Sequence, residues 1–158
     1  MSVKSVVFGA VVAFALIAGL AAAYASQTDV TAQVTVTSAC IVRLSASSIN
    51  FGSMIPGQNS TSDSTVTAYN DGNAASDIYA NGTQWSDGGS NTMTVGRTRY
   101  SSTASQAYGS MTALTGTAAA IVSSLGGGSS AATYWKLGVP VAQAAASYNQ
   151  TITFSMSC

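Results

Sequence analysis

Residues 28–44 read TDVTAQVTVTSACIVRL. The even positions carry Val30, Ala32, Val34, Val36, Ser38, Cys40, Val42 and Leu44, and the odd ones Thr31, Gln33, Thr35, Thr37, Ala39, Ile41 and Arg43. Apolar and polar residues alternating with period two, in types that favour strands, mark a β-strand with one buried face. The run is too long for one strand of a small domain, where about 5–6 residues, roughly 20 Å, is usual. Either the chain bends near Ser38 and Ala39, or the two halves serve different sheets. The second reading is adopted: Cys40 to Leu44 belong to the chain's own fold, and residues 26–37 form a strand offered to a neighbour.

Around this stretch the chain is poor in charge. Its 158 residues suffice for one domain with a real core. Charged residues make up 6%, five basic against five acidic, so no basic patch is available for nucleic acid. Histidine and glutamate are absent, and 25 Ser with 18 Thr supply the polarity instead. Such a surface suits packing against copies of itself. A hydrolytic triad needs a His or a substitute base, and two cysteines are too few ligands for zinc. No enzyme activity, no metal site and no cofactor are expected. Asp71, Asp77 and Asp87 could converge on calcium in loops, but no calcium-loop pattern accompanies them, and solvated turns are the reading adopted.

Before the strand lies an apolar leader. Lys4 precedes an uninterrupted apolar stretch over residues 6–25 that closes on Ala23-Tyr24-Ala25, an A-x-A pattern. This reads as a secretory signal, residues 1–25, cleaved before Ser26. The alternative is a retained membrane anchor, since about 20 apolar residues span a bilayer. Both place the remainder outside the cytoplasm. Cys40 and Cys158 are then expected to form a disulfide, worth about 4–5 kcal/mol in the chain-entropy model; two buried free thiols are the alternative.

Beyond the leader, residues 38–158 read as a β-sandwich domain. Ile49 and Phe51 share a face, Pro56-Gly57 is a turn, and residues 65–69 form a strand with Val66 and Ala68 inward. Asn70-Asp71-Gly72-Asn73 predicts a hairpin whose return strand buries Ile78 and Ala80. Residues 92–100 predict one strand with Arg97 and Arg99 on one face. From 101 to 130 the large apolar residues thin out, and a short helix over 118–125 is predicted among variable loops, stopped by Gly126-Gly127-Gly128. Residues 132–139 return to strand with Thr133, Trp135 and Leu137 on one face. The C-terminal strand aligns Ile152, Phe154, Met156 and Cys158. Trp85 and Trp135 are expected as core anchors. Asn59, Asn81 and Asn149 head N-x-Ser/Thr triplets, candidate glycosylation sites in loops or at strand edges. Short strands, frequent turns and almost no helical period predict an all-β fold, a single jelly-roll-like sandwich preceded by a donor strand and an apolar signal or helix segment.

These readings converge on self-assembly. The first strand exceeds what its domain can use, its free part follows the expected cleavage point, and the final strand ends at Cys158, so an exchanged strand would come from the N-terminus. Edge strands are usually guarded by charge against self-association, and here that guard is scarce. Burying Val30, Ala32, Val34 and Val36 in a neighbour's groove offers about 5–8 kcal/mol of apolar transfer. The contact is head-to-tail, does not close on itself, and gives a filament.

Ile49-Asn50-Phe51-Gly52 with Pro56-Gly57, then Tyr69 through Asn73 with Asn81-Gly82-Thr83-Gln84-Trp85, and Tyr134 through Pro140 leading to Tyr148 and Ile152, resemble the exported archaeal β-sandwich pilins. Those are the bundling-pilus and thread subunits, related in design to the bacterial TasA/camelysin biofilm-matrix proteins. The resemblance covers most of residues 30–158. It implies donor-strand-linked extracellular filaments that bundle cells, a homopolymer with no nucleic acid, touching membrane only through residues 6–25 if these are kept. Two alternatives stand beside it: a type IV-like pilin or anchored surface protein keeping residues 5–25 as a helix, and a secreted carbohydrate-binding sandwich.

Overall fold

The computed structural model describes residues 31–157. The chain divides into two units, Met1–Val36 and Thr37–Cys158. Within the first, residues 31–36 carry no helix or strand and expose their side chains. The leader, residues 26–30 of the expected donor strand, and Cys158 lie outside the described residues. No helix among the described residues is long and apolar enough to cross a membrane.

The second unit is all-β, its sheets antiparallel throughout. Its strands are β1 (Val42–Leu44), β2 (Ser64–Asn70), β3 (Ser76–Gly82), β4 (Trp85–Ser86), β5 (Thr92–Met93), β6 (Thr98–Ser101), β7 (Thr112–Ala113), β8 (Ala119–Leu125), β9 (Ser130–Leu137) and β10 (Ile152–Ser157). One sheet has the order β1-β2-β9-β6-β7, a second β10-β3-β8, and β4-β5 form a small ribbon. The two larger sheets share one core: Val66 and Ala68 of β2 and Trp135 of β9 meet Ile78 and Ala80 of β3 and Ile121 and Leu125 of β8. The period-two reading holds for β2 and β3, and Thr133, Trp135 and Leu137 of β9 are buried as it predicts, since side chains of a strand alternate between its faces. Trp135 is fully buried, 5.5 Å from the Tyr100 ring and edge-on to Phe154 at 5.6 Å. Trp85 is also buried, and its indole N–H donates to Thr98 Oγ1 at 2.9 Å.

Three expectations are corrected. The Asn70–Asn73 turn does not make a hairpin, because β3 pairs with β10 and β8 and not with β2. The inward residues of β2 and β3 face one another across the core, so the turn is a corner between sheets. Asn70 is buried there; its Nδ2 donates to the carbonyls of Ala74 and Leu125, both at 2.8 Å, and its Oδ1 accepts the Gly72 N–H. Next, residues 118–125 hold a strand and no helix. Ile121 and Leu125 have helical spacing, but residues four apart also share a face of a strand, and both are buried on β8, which shifts register twice against β3. Ser124 takes a positive φ of 52° in the bulge and gives its N–H to Asp77 Oδ1 at 2.7 Å. Finally, residues 92–100 split into β5, a 3₁₀ turn at Val95–Arg97, and β6. Arg97 and Arg99 therefore share no strand face.

Ile49 and Phe51 lie outside any strand yet remain half-buried against the core. The Pro56-Gly57 turn is present, with the Gln58 N–H donating to the Ile55 carbonyl at 3.1 Å.

Candidate functional site

The two sides of the sandwich are finished differently. On one side the chain leaves β7, crosses between the sheets, and gives the Thr115 carbonyl to the Gly82 N–H of β3 at 2.9 Å. Leu114 plugs that side, 1% exposed. A Cβ at position 82 would lie 2.6 Å from Leu114 Cδ2, so any larger residue there would have to displace the plug. On the other side β1 ends one sheet and β10 ends the other, and no described strand lies between them. Val42 and Leu44 of β1 and Ile152, Phe154 and Met156 of β10 pack on the core but stay only half-buried. An opening of about 140 Å³ reaches the core residue Val66 between Leu44, Ile152 and Phe154.

This seam has two distinct ends. At the Ile152 end it runs into a wider cleft of about 810 Å³ between residues 47–56 and 143–150, floored by Trp85, Met93, Leu137 and Val139. Its described lining carries no charged side chain. At the other end, Ser157 pairs with Asp77. The neighbouring Ser76 hydroxyl donates to Cys40 Sγ at 3.0 Å. Cys40 is disulfide-bonded; the chain has one other cysteine, Cys158, next in sequence after β10. The root of the N-terminal segment is pinned at this end. The Asn73 side chain donates to the Thr37 carbonyl at 3.0 Å and accepts the Ala39 N–H at 2.8 Å. Gly72 permits it, because a Cβ there would clash with the Ala39 carbonyl oxygen. Thr37 thus belongs with the sandwich, one residue from the expected boundary.

The four outer edges also differ. Native sheets blunt their edges by shortness, charge, proline or bulges. β7 has two residues and β1 three, with Arg43 of β1 paired to Asp71 and lying 3.9 Å over the Tyr69 ring. β8 is bulged. β10, ITFSMS, has six residues in unbroken register with β3, no charge and no proline.

The remaining predicted residues are placed as follows. Ala32, Val34 and Val36 are exposed outside any strand, and Val30 lies outside the described residues. Asn59 and Asn149 are exposed, each in an isolated β-bridge. Asn81 sits half-buried inside β3, the middle strand of its sheet, and not at an edge as expected. The three Asp residues weighed for calcium are not brought together: Asp71 holds Arg43, Asp77 caps the β8 bulge, and Asp87 closes the β4–β5 turn. Hydrogen bonds from the Asn91 side chain first, then the Gly89 N–H, hold the Asp87 carboxyl below its ordinary range. No group of three or more His, Cys, Asp or Glu among the described residues could hold a metal ion.

No family model matches the chain, and no curated protein does. Among solved structures it is similar to a family 123 glycoside hydrolase from Clostridium perfringens, described for its hydrolysis of glycolipid glycans. The TM-score is 0.44 at 9% identity, over 65% of this chain and 19% of that one. The chain thus spans about a fifth of that protein's length. That neighbour is an enzyme, and the expectation of no enzyme activity is withdrawn. A likeness of this size carries no argument for an activity either.

The parity of β10 was legible in the residue pattern, but its position at a sheet edge was not. What the pattern did carry was six residues without charge or proline, in a chain where other edges are blunted.

Proposed function

We propose that this chain is a structural subunit of an extracellular filament, joined head-to-tail by strand donation. In this reading residues 26–37 of one copy add to the free edge of β10 in the next. The observation that carries it is β10 itself, the long, regular, uncharged edge beside a half-buried apolar row. Added main-chain hydrogen bonds hold the strand, and alternate side chains fill the seam. Val30, Ala32, Val34 and Val36 would cover Ile152, Phe154 and Met156 on one flank and Val42 and Leu44 on the other, with Thr31, Gln33 and Thr35 left to solvent. Cell–cell adhesion by bundled filaments is the role this assembly would serve.

The test is deletion of residues 26–37, followed by electron microscopy and thermal unfolding. Assembly should be lost, and a synthetic peptide of residues 26–37 should raise the melting temperature of the deleted subunit in a dose-dependent way. Polymers as long and as heat-resistant as those of the full chain would end the proposal. A full chain that stays monomeric while its deleted form binds the peptide would show the segment folding back on its own copy.

A further inference from the structure

Among the described residues the exposed large hydrophobics are Val34 (85%), Val36 (76%), Ile41 (54%), Ile55 (63%) and Val141 (85%). Single exposed apolar residues are ordinary on a protein surface, but these five are not scattered. Val34 and Val36 lie on the N-terminal segment, and Ile41 lies at its root, its carbonyl accepting the Asp71 N–H at 2.9 Å. Ile55 lines the wide cleft, and Val141 lies beside the neighbouring turn, where the Gly57 N–H donates to the Val139 carbonyl at 3.0 Å and a Cβ on Gly57 would meet the Val141 side chain. Ile41 therefore marks the Ser157 end of the seam, and Ile55 and Val141 mark the Ile152 end.

From this placement we infer that the cleft rim of one copy receives the strand root of the next, and that the donated strand runs antiparallel to β10. The inference rests on the strand-donation reading. Head-to-tail addition gives every copy the same orientation, so the Ser157 end of one subunit faces the Ile152 end of its neighbour. The donor leaves its own copy at Thr37, held by Asn73. It enters the neighbour at the cleft end of β10, with residues 35 and 36 there and residue 31 reaching Ser157. Its direction is then opposite to β10 and the same as β1. Length agrees: twelve extended residues span about 40 Å, while the six of β10 cover about 20 Å, so residues 31–36 can lie along β10 with the remainder running past Ser157. The occupant is uncharged apart from Asp29, matching a cleft whose described lining has no charge. Ile55 and Val141 then pack against Ile41 of the incoming copy.

Cysteine trapping in co-assembled full chains tests this. Thr31 and Thr35 share the polar parity of the donor, and Thr153 and Ser157 the exposed parity of β10, each pair four residues apart. Antiparallel addition predicts inter-copy links between Thr35→Cys and Thr153→Cys, and between Thr31→Cys and Ser157→Cys. Links in the crossed combinations, Thr31→Cys with Thr153→Cys and Thr35→Cys with Ser157→Cys, would overturn the polarity and leave strand donation standing. Polymers that give neither set would overturn strand donation as well. Copies carrying Ile41→Cys mixed with copies carrying Val141→Cys should form a cross-linked dimer. Its absence from polymers that do show the strand links would overturn the rim contact alone. The double variant Ile55→Asp/Val141→Asp alters exposed residues only; it should keep the subunit's melting temperature and shorten the polymers severalfold, and polymers of unchanged length would count against the rim contact.

Discussion

The closed and open sides of this sandwich are built from the same few residue types, yet they end differently. On the closed side a continuous segment crosses between the sheets, and Leu114, Ile121 and Leu125 are all buried. On the open side no described strand crosses, and Val42, Leu44, Ile152, Phe154 and Met156 stay half-exposed. Hydrophobicity alone does not separate them, since Leu and Ile stand on both. What separates them is whether a piece of backbone lies over the gap between two sheet edges. An edge left uncovered offers hydrogen-bonding groups and apolar area at once, which is the chemistry a further strand would match.

Substitutions that shift this contrast can be ordered by size. Trp135→Ala empties a fully buried site and should cost the isolated subunit about 4 kcal/mol in denaturant unfolding. Phe154→Ala touches the same ring from the open side and should cost the isolated subunit about 1–2 kcal/mol, with a further loss of heat resistance in the polymer. Equal losses in subunit and polymer would mean that nothing covers Phe154 on assembly. Ser155→Lys places a charge on β10, and Ser123→Lys places one on β8; each should alter subunit stability by within about 0.5 kcal/mol. Only the first should block polymers in negative-stain images, and equal behaviour of the two would remove the distinction between these edges.

The smallest effect concerns the β4–β5 turn, away from both sides. The Asp87 carboxyl is held below its ordinary value of 3.8 in the folded chain. Its contribution is therefore complete above that ordinary value and is lost as pH falls through the lowered folded one. Amide resonances of Gly89 and Asn91 should shift together across that acid window, while those of β9 stay put. Asp87→Asn should abolish the shift.

Residue by residue, much of the fold was legible. Val66, Ala68, Ile78, Ala80, Thr133, Trp135 and Leu137 were placed inward by alternation alone, and Val42 and Leu44 were assigned to the chain's own sheet. The misreadings share a cause. Asn70–Asn73 carries every local mark of a hairpin, but the partner of β3 is chosen by distant residues. Ile121 and Leu125 stand four apart, a spacing that a helix and a strand both place on one face, and the strand partner β3 is far away in the chain. The apolar row Ile152, Phe154 and Met156 of β10 was read correctly as a face, without its place at a sheet edge being visible.

By itself the sequence determined which face of each strand is apolar, because side-chain alternation is a local property of extended backbone. It also determined that little charge would stand along the edges, because composition cannot change on folding. Which strands became neighbours, and therefore which of the described strands ended at a sheet edge, was decided only by the tertiary structure. Strand pairing joins residues far apart in the chain, and its outcome depends on the whole core those residues bury together.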